Sequence, residues 1–293
     1  MPAVTMVRDL LAVLKLRIGL AIALAAIGGL VLSPAPLPSL REVALLALGV
    51  LLAAASAGAY NHIYEFDLDA RMPRTRARPF ATGRFRAGPR WYAFILLLLL
   101  AGVALAGHAG GGLAALFVFM GAFTYGVVYT VWLKRRTAWN IVVGGLAGSF
   151  AVLAGAAAVD PAIGAAPLVL AVVLFLWTPP HFWSLAMAVR EDYAGAGVPM
   201  LPVIVGDALC ARVIFVHTAA LVLLSLAPAL LGAGPIYLAF AILGGGWFLY
   251  QSMKLAETPD RRRALATFLA SLLQLALLIA GAALDRWLDG GGA

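Results

Sequence analysis

Three oxygen-bearing side chains recur every four residues at the polar end of a long apolar run: Asn61, Glu65 and Asp69. On a helix this spacing puts all three on one face, with neighbours about 6 Å apart along the axis. Carboxylates that close repel each other unless a cation bridges them. An oxygen-only donor set without His or Cys suits Mg2+, which takes a few carboxylates together with phosphate oxygens and water. Directly after come Arg71, Arg74, Arg76 and Arg78. Arginine grips phosphate through paired hydrogen bonds and keeps its charge at any physiological pH. Carboxylates for a metal beside arginines for phosphate describe a diphosphate site. By helical geometry Asp67 points away from the other acids.

A second group lies between Thr178 and Pro202. Pro179 and Pro180 are expected to break or kink the helix that carries them, and His181 and Trp183 follow that point. Glu191 and Asp192 come at its polar end, level with the first acidic group, so that two acidic clusters facing across one bundle mouth would hold two Mg2+ ions around a diphosphate. Between the two groups runs Tyr129 to Asn140, in which Lys134 and Arg135 are within reach of diphosphate oxygens and Asn140 opens the next helix. Gly144, Gly145 and Gly148 then let helices approach closely. His108 and His217 read as structural or interfacial, and Trp183 as packing.

The elements that must position these residues are membrane helices. Of 293 residues 63% are hydrophobic and 12% charged, with a mean hydropathy of +0.98; a soluble domain cannot bury that much apolar surface. Nine segments are long enough to span: 16–33, 43–63, 91–108, 111–132, 138–158, 164–187, 211–231, 235–253 and 264–284. Backbone groups in lipid must bond internally, so the spans are helices. The expected fold is an all-α polytopic membrane protein, one nine-helix bundle over residues 1–293. Basic residues fix its orientation: with the N-terminus cytoplasmic and the C-terminus outside, 18 of the 21 Lys and Arg fall in cytoplasmic regions, Arg212 lies just beyond one of them, and only Arg41 and Arg286 fall outside. Arg84, Arg86 and Arg90 read as anchors of this kind. The net charge of +8 therefore reports topology and no nucleic-acid surface. Cys210 is the only cysteine, which excludes an internal disulfide and a cysteine metal cluster. Residues 1–15 are mildly amphipathic, and the run 18–32 reads as a first membrane helix in place of a signal peptide.

The ordered motifs resemble the UbiA superfamily of intramembrane prenyltransferases, and within it the heme O synthase branch. They are Asn61-x-x-x-Glu65-x-x-x-Asp69, Met72-x-Arg74-Thr75-x-x-Arg78-Pro79, Tyr129-Thr130 with Leu133-Lys134-Arg135, Asn140-Ile141-Val142 with Gly144-Gly145, Thr178-Pro179-Pro180-His181-Phe182-Trp183, and Asp192-Tyr193 before Gly197-Val198-Pro199-Met200-Leu201-Pro202. Glu65 stands where the superfamily more often has Asp, and Ala196 stands where a second Asp would follow Asp192. The resemblance implies Mg2+ held by Asn61, Glu65, Asp69 and Asp192, and farnesyl diphosphate gripped by Arg74, Arg78, Lys134 and Arg135. It implies heme B as acceptor, and Tyr129, Asn140, His181 and Tyr193 as further substrate contacts. For His181 a heme contact and a hydrogen-bonded core histidine weigh evenly. The site would face the cytoplasmic side of a bacterial inner membrane, with a heme A synthase or a terminal oxidase as the kind of assembly partner such an enzyme has. Ranked below are a related enzyme with an aromatic, quinone-precursor acceptor, a secondary transporter using paired acids as an ion site, and a structural assembly subunit.

Overall fold

The structure is a computed structural model that describes residues 3–290, with side chains from Thr5 to Leu288. Met1, Pro2 and residues 291–293, which fall within the expected amphipathic start and the expected bundle 1–293, lie outside the described residues.

Every regular element is helical. In order they are α1 (Ala3–Leu14), α2 (Leu16–Val31), α3 (Leu40–Tyr64), α4 (Phe66–Arg71), α5 (Pro89–Phe123), a π-helix (Thr124–Leu133), α6 (Asn140–Gly144), α7 (Leu146–Val159), α8 (Ala165–Ala188), α9 (Arg190–Gly195), α10 (Leu201–Val205), α11 (Asp207–Leu224), α12 (Ala227–Leu230), α13 (Pro235–Glu257) and α14 (Arg261–Gly290). Seven helices among the described residues are long and apolar enough to cross a membrane, and the bent pair Thr5–Leu14 and Leu16–Val31 makes an eighth. One of the seven is the 45-residue stretch Pro89–Leu133, which the sequence pattern divides between 108 and 111. The contacts favour division. Ser56 Oγ donates to Ile95 C=O and Gly102 abuts Gly49, so this stretch first runs antiparallel to α3. It then returns, with Gly126 beside Ala57 and Asn61 bonded to Thr130. The reversal falls at Gly111, whose φ of 78° only glycine adopts without strain.

Lipid is as apolar as the helix surfaces, so the bundle is held by close packing of small residues and a few polar bonds. α2 and α7 touch most intimately: a Cβ on Gly155 would lie 1.7 Å from the Ala26 carbonyl oxygen, and one on Gly29 2.0 Å from that of Val152. At one end of the bundle Ser39 and Glu42 form a capping box on α3, Asp285 accepts from the Ile236 and Tyr237 amides to cap α13, and Arg286 donates to the Ala35 carbonyl. The opposite end carries most of the charged residues. There the loop 72–88 is pinned by Phe80, which meets Trp91 edge-on at 5.1 Å and Phe85 at 5.9 Å. Arg84 of this loop grips Asp9 of α1 at 2.7 Å, a tie where an anchor is expected. Of the break or kink expected at Pro179 and Pro180, the break does not occur: both lie inside one helix, α8, where Thr178 and Ser184 hydroxyls bond the Leu174 and Pro180 carbonyls.

The α2–α7 contact makes a prediction. Gly155→Ala must push α2 away and should cost at least about 1–3 kcal/mol, seen as lower Tm and less monodisperse protein in detergent. Gly148→Ala, with nothing within 4 Å, should leave Tm unchanged or raised.

Candidate active site

Asn61 is in the last turn of α3, Glu65 joins α3 to α4, and Asp69 is in α4. Glu65 leaves helical backbone geometry (φ −100°, ψ 12°). Even so its N–H bonds the Asn61 carbonyl at 2.9 Å, and the Asp69 N–H bonds that of Glu65 at 2.8 Å. The four-residue register thus passes unbroken through the junction, and all three side chains stay in line. They are buried, at 2%, 1% and 1% exposure.

A cation from a different element meets each of them. Lys134 Nζ donates to Glu65 Oε2 at 2.5 Å. Arg78 reaches both Asp69 oxygens, at 2.8 and 2.9 Å. Lys15 Nζ donates to Asn61 Oδ1 at 2.5 Å and to the Tyr125 hydroxyl at 2.9 Å. Buried carboxylates require such partners, since an isolated charge away from water is very costly. One acceptor is left over: Glu65 Oε1 is buried without a hydrogen bond.

The π-helix accounts for how residues 124–134 face α3. Its amides bond five residues back, as Lys134 N–H does to the Tyr129 carbonyl, so Tyr125 stands one turn from Thr130 and Tyr129 one turn from Lys134. Thr130 accepts from Asn61 at 3.0 Å, Tyr125 and Tyr129 stack at 5.9 Å, and the Lys134 ammonium lies 5.7 Å from the Tyr129 ring centre. Such π segments are rare and cluster at functional sites. Gly144 of α6 gives Tyr129 its space, since a Cβ there would come within 2.9 Å of the ring.

A rim surrounds this buried centre. Arg74 lies 3.9 Å from Asp192 and over the Tyr193 ring at 5.7 Å, bringing the second motif to the first. Arg135 pairs with Asp67 at 2.6 and 2.9 Å, and this hydrogen-bonded guanidinium holds the Asp67 carboxyl below its usual range. Arg71 and Arg76 are exposed. Below the centre, Ala53, Ala54, Ala57, Phe117 and Gly121 line a narrow, partly open apolar slot of about 30 Å³. Tyr125 belongs to both regions: its ring lines the slot and its hydroxyl meets Lys15.

Several expected residues sit elsewhere. Glu65, Asp69 and Asp192 do not converge: among the described residues no group of three His, Cys, Asp or Glu side chains is close enough to hold a metal ion. Asp192 faces Arg74 instead. Asn140 is buried and donates to the Thr137 carbonyl, its own oxygen unpartnered. His181 bonds Ser271 through Nδ1 at 2.7 Å between the Trp177 and Phe268 rings. Lys15 and Tyr125 belong to this centre although the residue pattern does not mark them, and Thr130, named there only within a motif, bonds Asn61.

A family model described as the UbiA prenyltransferase family matches residues 21–278. Two relatives from Paramagnetospirillum magneticum, named protoheme IX farnesyltransferase 2 and protoheme IX farnesyltransferase 1, are 58% and 46% identical, over 96% and 95% of this chain and 98% of each of them. A protoheme IX farnesyltransferase from Methylococcus capsulatus is 38% identical over 96% of this chain and 94% of its own. The chain belongs to the UbiA prenyltransferase family. Solved structures share the fold. A digeranylgeranylglyceryl phosphate synthase superposes with a TM-score of 0.78 at 17% identity, covering 96% of this chain and 98% of that one. A UbiA homolog from Archaeoglobus fulgidus bound to DMAPP and Mg2+ superposes with a TM-score of 0.74 at 18% identity, covering 92% and 99%.

If Lys134 neutralises Glu65, Lys134→Met strands a buried carboxylate and should destabilise the protein by roughly 3–5 kcal/mol. Adding Glu65→Gln should recover most of that loss, which a thermal-melt double-mutant cycle in detergent would measure.

Proposed function

We propose that this chain is a heme O synthase, which transfers the farnesyl group of farnesyl diphosphate to a vinyl group of heme B within the bilayer. The reading is carried by the buried Asn61–Glu65–Asp69 line with Lys134 and Arg78 at its carboxylates. Farnesyl as donor and heme as acceptor are supported by the names of the relatives.

The donor set fits Mg2+: three oxygen-bearing side chains in line and one buried carboxylate oxygen, Glu65 Oε1, without a hydrogen bond. Asn61, Glu65 and Asp69 are the residues that would hold the metal, which would offset charge on the departing diphosphate; Asp192 stays with Arg74 at the rim. Arg74, Arg78, Lys134 and Arg135 supply charge-assisted hydrogen bonds to the same oxygens. Groups placed in advance where charge develops usually give the largest catalytic term. The allylic C–O bond breaks with its electron pair going to diphosphate. The heme vinyl carbon attacks the allylic carbon, forming the new C–C bond. Water adds to the resulting cationic carbon beside the pyrrole and releases a proton, leaving a hydroxyethylfarnesyl group. The apolar slot marks the side on which the prenyl chain leaves the centre, and with the Tyr125 and Tyr129 rings it keeps water from the cation until the bond has formed. Tyr193 lines the approach beside Arg74.

We place this site at the cytoplasmic face of a bacterial inner membrane, since the basic loops gather at that end. With the reversal at Gly111 counted as a turn, the chain crosses nine times and ends outside.

The test incubates protein in nanodiscs with heme B, farnesyl diphosphate and Mg2+, followed by mass spectrometry of extracted hemes. A heme heavier by farnesyl plus water is expected, absent with EDTA and reduced at least about a thousandfold in Asp69→Ala. Prenylation of an aromatic acid with no change in heme would overturn the acceptor. No product from either would overturn prenyl transfer.

A further inference from the structure

Apart from the exposed Arg71 and Arg76, each basic side chain around the centre has its own carboxylate, with one exception. Lys134 has Glu65, Arg78 has Asp69, Arg74 has Asp192 and Arg135 has Asp67. Among the described residues the partners of Lys15 are neutral, the Asn61 amide oxygen and the Tyr125 hydroxyl. An ammonium has three N–H donors, so one remains to be satisfied beside a buried centre where an unmatched charge is costly.

The backbone that aims Lys15 is also unusual. It adopts φ 48°, ψ 42°, left-handed geometry that a residue with a Cβ enters only at a cost. It stands at the 41° bend between α1 and α2. Its aliphatic stem lies along Gly58 of α3, where a Cβ would be 3.4 Å away. Strain of this kind persists where the surroundings enforce it, and it gathers at functional sites. From Asn61 the ammonium is on the same helical line as Glu65 and Asp69, at the boundary between polar centre and apolar slot that Tyr125 marks.

We propose that Lys15 is a substrate-binding residue, the third basic arm of the diphosphate cradle beside Arg78 and Lys134, aimed at the centre by its left-handed backbone. On donor binding the ammonium passes a hydrogen bond to a diphosphate oxygen and releases the Asn61 amide oxygen. Because Lys15 has no carboxylate of its own, its charge is the one that the anion neutralises without first breaking an ion pair. This inference rests on the diphosphate site proposed above.

The experiment measures binding of inorganic pyrophosphate with Mg2+ to the intact protein in nanodiscs by calorimetry, together with donor KM and Tm. Wild type should bind. Lys15→Met should weaken pyrophosphate about tenfold or more and raise donor KM with heme KM unchanged, while Lys15→Arg retains most of the affinity. Lys15→Gly should bind as weakly as Lys15→Met yet melt a few degrees higher, because glycine accepts the left-handed backbone. Equal pyrophosphate affinity in wild type and Lys15→Met would overturn the role of Lys15 and leave the diphosphate site standing. If Lys15→Met does not fold, Lys15→Gly and Lys15→Arg decide: equal affinity in those two variants overturns the proposal. Absence of pyrophosphate binding by folded wild type would overturn the diphosphate site itself.

Discussion

A carboxylate at the end of a membrane helix cannot be left alone, and the bonding of Glu65 to Lys134 follows from that constraint. At 1% exposure Glu65 has no water to solvate it, so its charge must be matched by a side chain from another element. Lys134 arrives from the π-helix, and Arg78, arriving from the loop after α4, does the same for Asp69. These pairs fasten the loop and the π-helix to α3 while assembling one concentrated set of charges. The arrangement that makes the site tolerable in the fold is thus the same one on which the proposed diphosphate site rests.

The rest of the bundle supplies rigidity and shape. Glycine and alanine at the α2–α7 and α3–α5 contacts bring backbones nearly into touch, leaving little freedom for the elements that carry the charges. The π-helix spends one extra residue per turn to bring Thr130 to Asn61 and Lys134 to Glu65. Tyr125 divides the polar centre from the apolar slot, matching the division between a charged head and a prenyl chain.

Much of this was legible in the residue pattern, for identifiable reasons. Asn61, Glu65 and Asp69 share a face because helical periodicity survives the α3–α4 junction. The turn near Gly111 was marked by the spacing of apolar runs, and the positions of Lys and Arg marked one end of the bundle. Lys15 was not legible, since a basic residue between an amphipathic and an apolar segment looks like a topological anchor; only its bonds to Asn61 and Tyr125 and a left-handed backbone distinguish it. The π-helix was hidden as well, because Thr124–Leu133 has the composition of any apolar helix. Pro179 and Pro180 suggested a break that α8 does without. Asp192 shared the chemistry of the first cluster, but its distance from Glu65 and Asp69 depends on tertiary packing, and its neighbour is Arg74.

The central claim is that Glu65 and its cations form a metal-assisted diphosphate site. The most direct measurement is binding of a non-hydrolysable farnesyl diphosphate analogue to the intact protein in nanodiscs, with Mg2+ and with EDTA, for wild type and Glu65→Gln. Tight binding that needs Mg2+ in wild type and falls at least about tenfold in Glu65→Gln is the result expected. Equal binding by both proteins, with or without the metal, would contradict the account.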